Sequence, residues 1–237
     1  MKKLLFLFFI LFNGITAQAN HNYKTGDRLY IWALNGLKLR PSPSADNKHI
    51  KILQKGTSIK VLEKTDISHN EMLDIERDPA APELIYEPVE LKGHWVRVIT
   101  EQNDTGYIID NYLLPLKFAK ESAPDNIALP IHILKSKTLL QKECDGEDLC
   151  IEIDYQMDQN INCRMQHGGV WSKVIYTLPK FTINELLIIF ACAYDNFKGL
   201  YISAFEKNRI EITDELNCRF IFNIQKGYVT LEEQCAC

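Results

Sequence analysis

The sequence predicts two domains: a small all-β unit, then a disulfide-bonded α+β domain built as an antiparallel sheet with one helix. Three observations carry this. Short runs that alternate apolar and polar residues, broken by turn formers, fill the first half, the pattern of half-buried strands. All seven cysteines, at 144, 150, 163, 192, 218, 235 and 237, lie in the second half. There, Thr182 followed by Glu185 forms a capping signature ahead of Leu186 to Tyr194, an apolar stretch that fits a largely buried helix.

A chain of 237 residues with 46% apolar and 24% charged residues has globular composition and is long enough for ordinary cores. Its formal charge of -4 carries no electrostatic footprint for nucleic acid. Lys2 and Lys3, the nine apolar residues Leu4 to Phe12, and Ala17-Gln18-Ala19 follow the order of a secretory signal, so residues 1–19 are read as a signal peptide cleaved after Ala19. Nine apolar residues fall well short of the roughly 20 that a spanning helix needs. Leu186 to Tyr194 is equally short, so no membrane span is expected after the signal is removed, and the product is expected in the periplasm or outside the cell.

Residues 24–116 form the first unit. Leu37 and Leu39 alternate with Lys38 before Arg40-Pro41-Ser42-Pro43, where proline ends the strand. Ile50, Ile52 and Leu53 lead into Lys55-Gly56-Thr57, followed by Ile59, Val61 and Leu62. Trp95, Val96 and Val98 form a further strand, Gly106 to Ile109 another, and Tyr112-Leu113 closes the unit. Five blocks here, Leu37 to Arg40 with Pro43, Leu53 to Leu62 around Gly56, Trp95 to Val98, Gly106 to Ile108, and Tyr112-Leu113, resemble the bacterial SH3 domain in content and order. The pattern is broken at Ser42, where glycine is common, and by an insertion at 65–90. The resemblance implies an SH3-like barrel that binds cell-wall peptide or another envelope partner without catalysis, often as a targeting module.

The insertion holds eight acidic residues and one basic, Arg77, with Pro79, Pro82 and Pro88 opposing regular structure. The rest of the unit carries eleven basic and six acidic residues. Two readings stand. The insertion is a solvated loop, which costs little to lengthen, or a flap that competes with an anionic ligand for Arg40, Lys48, Lys51 and Lys55 or docks a basic partner. Trp95 and Tyr107 sit inside alternating strands and are expected in the interior, whereas Trp32 and Tyr112 lie at the ends of the unit, where exposure and stacking on a ligand are expected. The ligand-binding candidates are therefore Trp32, Arg40, Lys48, Lys51, Lys55 and Tyr112.

Residues 117–129, with Ser122-Ala123-Pro124-Asp125-Asn126, read as a linker to the cysteine-rich half, 130–237. Seven cysteines in an exported chain imply disulfides and leave at least one thiol free or shared between chains. The alternation of Cys218 to Ile224 and of Val229 to Cys235, joined by a two-residue turn at Lys226-Gly227, sets Gln225 opposite Tyr228 and Cys218 opposite Cys235. Counting outward, that last pair falls at a non-hydrogen-bonded site, where Cα atoms approach to about 4.5 Å, close enough for a disulfide. A slip to Cys237 is the competitor, and Ile221 and Glu233 are misfits to the facial pattern. Cys144 with Cys150 fits a local bridge across an acidic turn, and Cys163 with Cys192 is what remains. Further strands are read at Ile151 to Met157 and Val170 to Leu178, and a hairpin at Leu200 to Glu206 and Arg209 to Thr213 that sets Glu206 opposite Arg209.

Catalysis finds little footing. His167 is the last histidine, and it follows Cys163 by four residues without the surrounding motif of wall cysteine peptidases. Zinc chemistry needs three protein ligands, and only His132 and His167 lie beyond the linker. Glu143 and Glu147 are an undistinguished carboxylate pair, and no glycine-rich phosphate loop occurs. No metal or cofactor is expected. The reading is an exported binding protein for cell-wall or envelope peptide or protein. Its alternatives are a peptidoglycan hydrolase with an unfamiliar second half, or an envelope inhibitor or immunity-type protein.

Overall fold

A computed structural model of the chain describes residues 23–73, 75–77, 79, 88–119, 129–131, 133–141, 150–168, 171–194, 197–206, 208–216 and 218–236. The signal segment, Cys144, Cys237, His132, Glu143, Glu147 and the middle of the linker lie outside these residues, and Cys150 is described by its backbone alone.

The fold is mostly β, with one helix among the described residues. In the first half, β1 (Arg28–Ile31), β4 (Ser58–Leu73), β6 (Val89–Thr100), β7 (Thr105–Ile109) and β8 (Leu113–Leu114) make one sheet in the order β7-β6-β4-β1-β8. A ribbon of β2 (Leu37–Leu39) and β3 (Lys51–Leu53) joins the far side of β7 through the bridge between Arg40 and Tyr107. Alternate residues point inward, and Leu29, Ile31, Leu39, Ile59, Val61 and Val98 form a closed core. Trp95 is buried, as expected.

The described part of the insertion is not a solvated loop. Residues 65–73 continue β4 and pair with the start of β6, from Ser68 opposite His94 to Leu73 opposite Val89. Beyond them β5 (Glu76–Arg77) adds a parallel strand to β13 (Leu200–Glu206), with Tyr201 opposite Glu76. The expectation that proline and charge would suppress structure fails because Leu73, Ile75 and Leu91 bury their side chains in a core shared with the second half. The prolines lie beyond β4.

Among the described residues, the second half contributes eight strands to a nine-stranded sheet, one edge strand of which is β5. After β5 it runs β13, β14 (Arg209–Asp214), β15 (Arg219–Gln225), β16 (Tyr228–Ala236), β12 (Trp171–Pro179), β11 (Asn162–His167), β10 (Cys150–Met157) and β9 (Ile133–Gln141). All pairings except that of β5 are antiparallel. Helix α1 (Ile183–Ala193) lies on the inner face. Thr182 Oγ1 accepts from the Glu185 amide at 3.2 Å while the Glu185 carboxylate accepts from the Thr182 amide at 2.7 Å, the expected capping box. Phe190 meets Phe220 and Phe222 edge-on at 5.0 and 5.1 Å. Glu206 stands opposite Arg209, as read from the sequence.

The linker ends pair with each other. Phe118 bridges Ile131, the Ala119 amide donates to the Pro130 carbonyl at 3.0 Å, and Leu116 and Leu129 are fully buried.

Candidate functional site

The six candidate residues do not converge on one surface. Trp32 is corrected outright. It is 1% exposed, its indole N–H donates to the Leu116 carbonyl at 2.7 Å and its ring meets Phe118 edge-on at 5.4 Å. The β1 strand leads it inward, under the linker, so it has no face to offer a ligand. Tyr112 is half-buried, and its hydroxyl bonds the Glu71 carboxylate, which with burial raises its pKa. Arg40 donates to the Asn47 carbonyl and Lys51 pairs with Asp104, both at one end of the β2–β3 ribbon. Lys48 is exposed in the same connection. Lys55, past the end of β3, lies over the Phe118 ring at 4.5 Å and beside the Cys192 thiol at the end of α1. Burial raises that thiol's pKa, and the Lys55 ammonium acts against the rise. Lys55 thus ties the two halves together. The insertion's Glu71 and Glu90 turn to Tyr112, Asn70 and Lys92, which gives the flap reading no contact with the four cations among the described residues.

The cysteines divide clearly. Cys218 and Cys235 are bridged as expected, whereas Cys163 and Cys192 are free and buried rather than paired with each other. Cys163 points from β11 into the core and Cys192 sits at the C-terminal end of α1, beside Lys55. Burial, with the Glu233 and Asp154 carboxylates adding to it, pushes the Cys163 thiol up to about 12. His167 is four residues along the same extended strand, about 13 Å away by strand rise. A protonated thiol at that distance from its imidazole is no nucleophilic dyad.

A different set of residues forms a cleft. Between the β1 side of the first half and the helix side of the second lies a cavity of about 420 Å³. Tyr23, Asp27 and Arg28 line it from one half, and Gln159, Asn160 and Lys180 from the other. Pro115, Pro179 and Phe181 give it apolar walls. The Tyr23 hydroxyl is held by Asp110 at 2.5 Å, with Lys64 3.9 Å from the ring, so that wall is rigid. Gln159 and Asn160 sit in a short 3-10 turn (Asp158–Asn160) between β10 and β11, and Lys180 sits between β12 and α1. These three have φ of 57°, 60° and 65°, three of the five non-glycine residues with positive φ among those described. Such backbone costs about 1–3 kcal/mol per residue and persists where its surroundings hold it. Two of them are held through their backbone amides: that of Lys180 donates to the Gly227 carbonyl at 3.0 Å and that of Gln159 to the Asp158 carboxylate at 2.8 Å. Their side chains have no protein partner among the described residues and are exposed at the cleft. The arrangement offers two primary amides, the Lys180 ammonium and the Arg28 guanidinium, which also pairs with Glu101 at 3.6 Å, beside the Asp27 and Glu185 carboxylates and apolar walls, the composition of a small-ligand or peptide site between domains.

Sequence reasoning misses this set because Tyr23, Asp27 and Arg28 lie more than 120 positions from Gln159, Asn160 and Lys180, and none of these six belongs to a motif. The one local signal is Gln159-Asn160 between two apolar strands, a turn composition without chemistry of its own.

Among the described residues no group of three or more His, Cys, Asp or Glu is placed to hold a metal ion, and no helix is long and apolar enough to cross a membrane. No family model, curated protein or solved structure matches the chain.

Proposed function

We propose that the chain is an exported binding protein whose first half is a bacterial SH3-like barrel and whose cleft with the second half takes a short envelope or cell-wall peptide. The closed core of the first half and the order of its five sequence blocks support the barrel. The disulfide is compatible with export. The observation that carries the reading is the cleft of about 420 Å³, in which Gln159, Asn160 and Lys180 are held in strained backbone with their side chains unspent. Amides bond peptide groups, the ammonium and Arg28 take a terminal carboxylate, and Phe181 covers an apolar side chain.

The test incubates the mature protein with purified peptidoglycan and titrates it with soluble wall peptides. Co-sedimentation without released fragments, with Asn160→Ala and Lys180→Ala each weakening peptide binding about tenfold, is the expected result. Soluble fragments would establish a hydrolase instead. Failure to bind, with retention of a stoichiometric envelope protein in a pull-down, would establish the inhibitor or immunity reading.

A further inference from the structure

The outward face of the large sheet carries a row of side chains that the cleft does not use. The strand register places Gln156, Asn162, Thr177, Thr230 and Asn223 side by side across β10, β11, β12, β16 and β15. Lys135 on β9 and Arg209 on β14 stand at the two ends. Strands lie about 4.8 Å apart, so the five uncharged residues cover about 19 Å. None of their amides and hydroxyls has a side-chain partner among the described residues, and all are at least partly exposed. A groove of about 700 Å³ lies over the Lys135 end of the row, bordered by Lys137, Asp154 and Arg164.

Apart from Lys135 and Lys137, which are exposed at the groove end, the charges on this face are paired within it. Arg164 pairs with Asp154 at 2.8 Å and Glu152 at 3.6 Å, and Lys173 pairs with Glu232 at 2.8 Å. Arg209 and Arg219 share Glu211 at 2.7 and 2.6 Å. Beyond the two lysines at the groove end, an ionic polymer would have to break these pairs to gain contacts along the row. A line of neutral donors and acceptors beside a ladder of paired charges matches an uncharged, hydroxyl-rich chain, whose groups alternate donor and acceptor along their length.

We propose that this row binds a neutral oligosaccharide laid across the strands, a second site independent of the interdomain cleft. The probe is a hexamer of N-acetylglucosamine, titrated calorimetrically into the full mature protein, with dextran sulfate as the charged comparison. The hexamer should bind, and an Asn162→Ala/Asn223→Ala double variant should weaken it about tenfold. Thr177→Val, which keeps shape and fold, should weaken it several-fold. Raising salt should leave the affinity unchanged, because neutral contacts are not screened. Phe181→Ala, in the cleft, should leave glycan binding intact, which separates failure here from failure of the peptide site. Absence of hexamer binding, equal binding by the double variant, or binding of dextran sulfate alone that salt abolishes would each overturn the proposal. So would self-association through this face, seen as a dimer in sedimentation that Asn162→Ala disrupts and the hexamer does not.

Discussion

Cys218 and Cys235 lie 4.4 Å apart at Cα, across the non-hydrogen-bonded pair reached by counting outward from the Lys226-Gly227 turn. The bridge closes a span of 17 positions. Loop-closure entropy for a ring of this size corresponds to about 3 kcal/mol. The double variant Cys218→Ala/Cys235→Ala should therefore lose about that much in urea denaturation. A loss below about 1 kcal/mol would show that the hairpin register alone constrains the unfolded chain as well as the bridge does.

That pairing was legible because a two-residue turn fixes every later partner, and the same logic gives Glu206 opposite Arg209. Local signals served the helix cap equally well. The misfits were informative. Glu233 does point inward, where burial raises its pKa and the Tyr194 hydroxyl donates to it at 3.1 Å. Ile221 does face outward, in the row between Glu211 and Glu232. Trp32 and the insertion were misread for one reason. Their burial depends on surface supplied by the linker ends and the second half, and position within a unit does not reveal that. The cleft was illegible for the same reason.

Leu73, Ile75 and Leu91 join the second half's core, so the halves should unfold as one. Ile75 is 1% exposed, and Ile75→Ala should cost about 2–4 kcal/mol. Calorimetry should give a single transition for both proteins, with hydrogen exchange accelerated in β7 and β14 alike. Two resolved transitions in the wild type would contradict the shared core.

Gly36 closes the turn into β2 with φ at +73°, and a Cβ there would lie 2.4 Å from the Leu53 carbonyl oxygen. Gly199 has φ at +70° and, among the described residues, nothing within 4 Å of the same atom. Gly199→Ala should cost about 1–2 kcal/mol from backbone conformation alone. Gly36→Ala should cost clearly more, because the clash is with backbone of the paired strand. Equal losses in thermal denaturation would mean that the β2–β3 ribbon yields freely.

Cys163 sets a pH dependence whose sign follows from its surroundings. Its register partners are Tyr155 and Tyr176, it is 1% exposed, and its pKa rises from 9.0 to about 12 on folding. The unfolded chain loses this proton first. The stabilisation is therefore complete below the unfolded pKa of 9.0 and drains away as pH climbs towards about 12. One proton corresponds to a slope of at most about 1.4 kcal/mol per pH unit. Tyrosines and lysines titrate over the same range, so the measurement is the difference between wild type and Cys163→Ala in urea denaturation from neutral to alkaline pH. The variant's curve should be flatter above pH 9 by up to that slope, with a constant offset at neutral pH for the lost side chain. Iodoacetamide at pH 8 should leave Cys163 unmodified until the protein is unfolded. Parallel pH curves, or alkylation of the native thiol, would place Cys163 in contact with water and return it to the list of reactive groups.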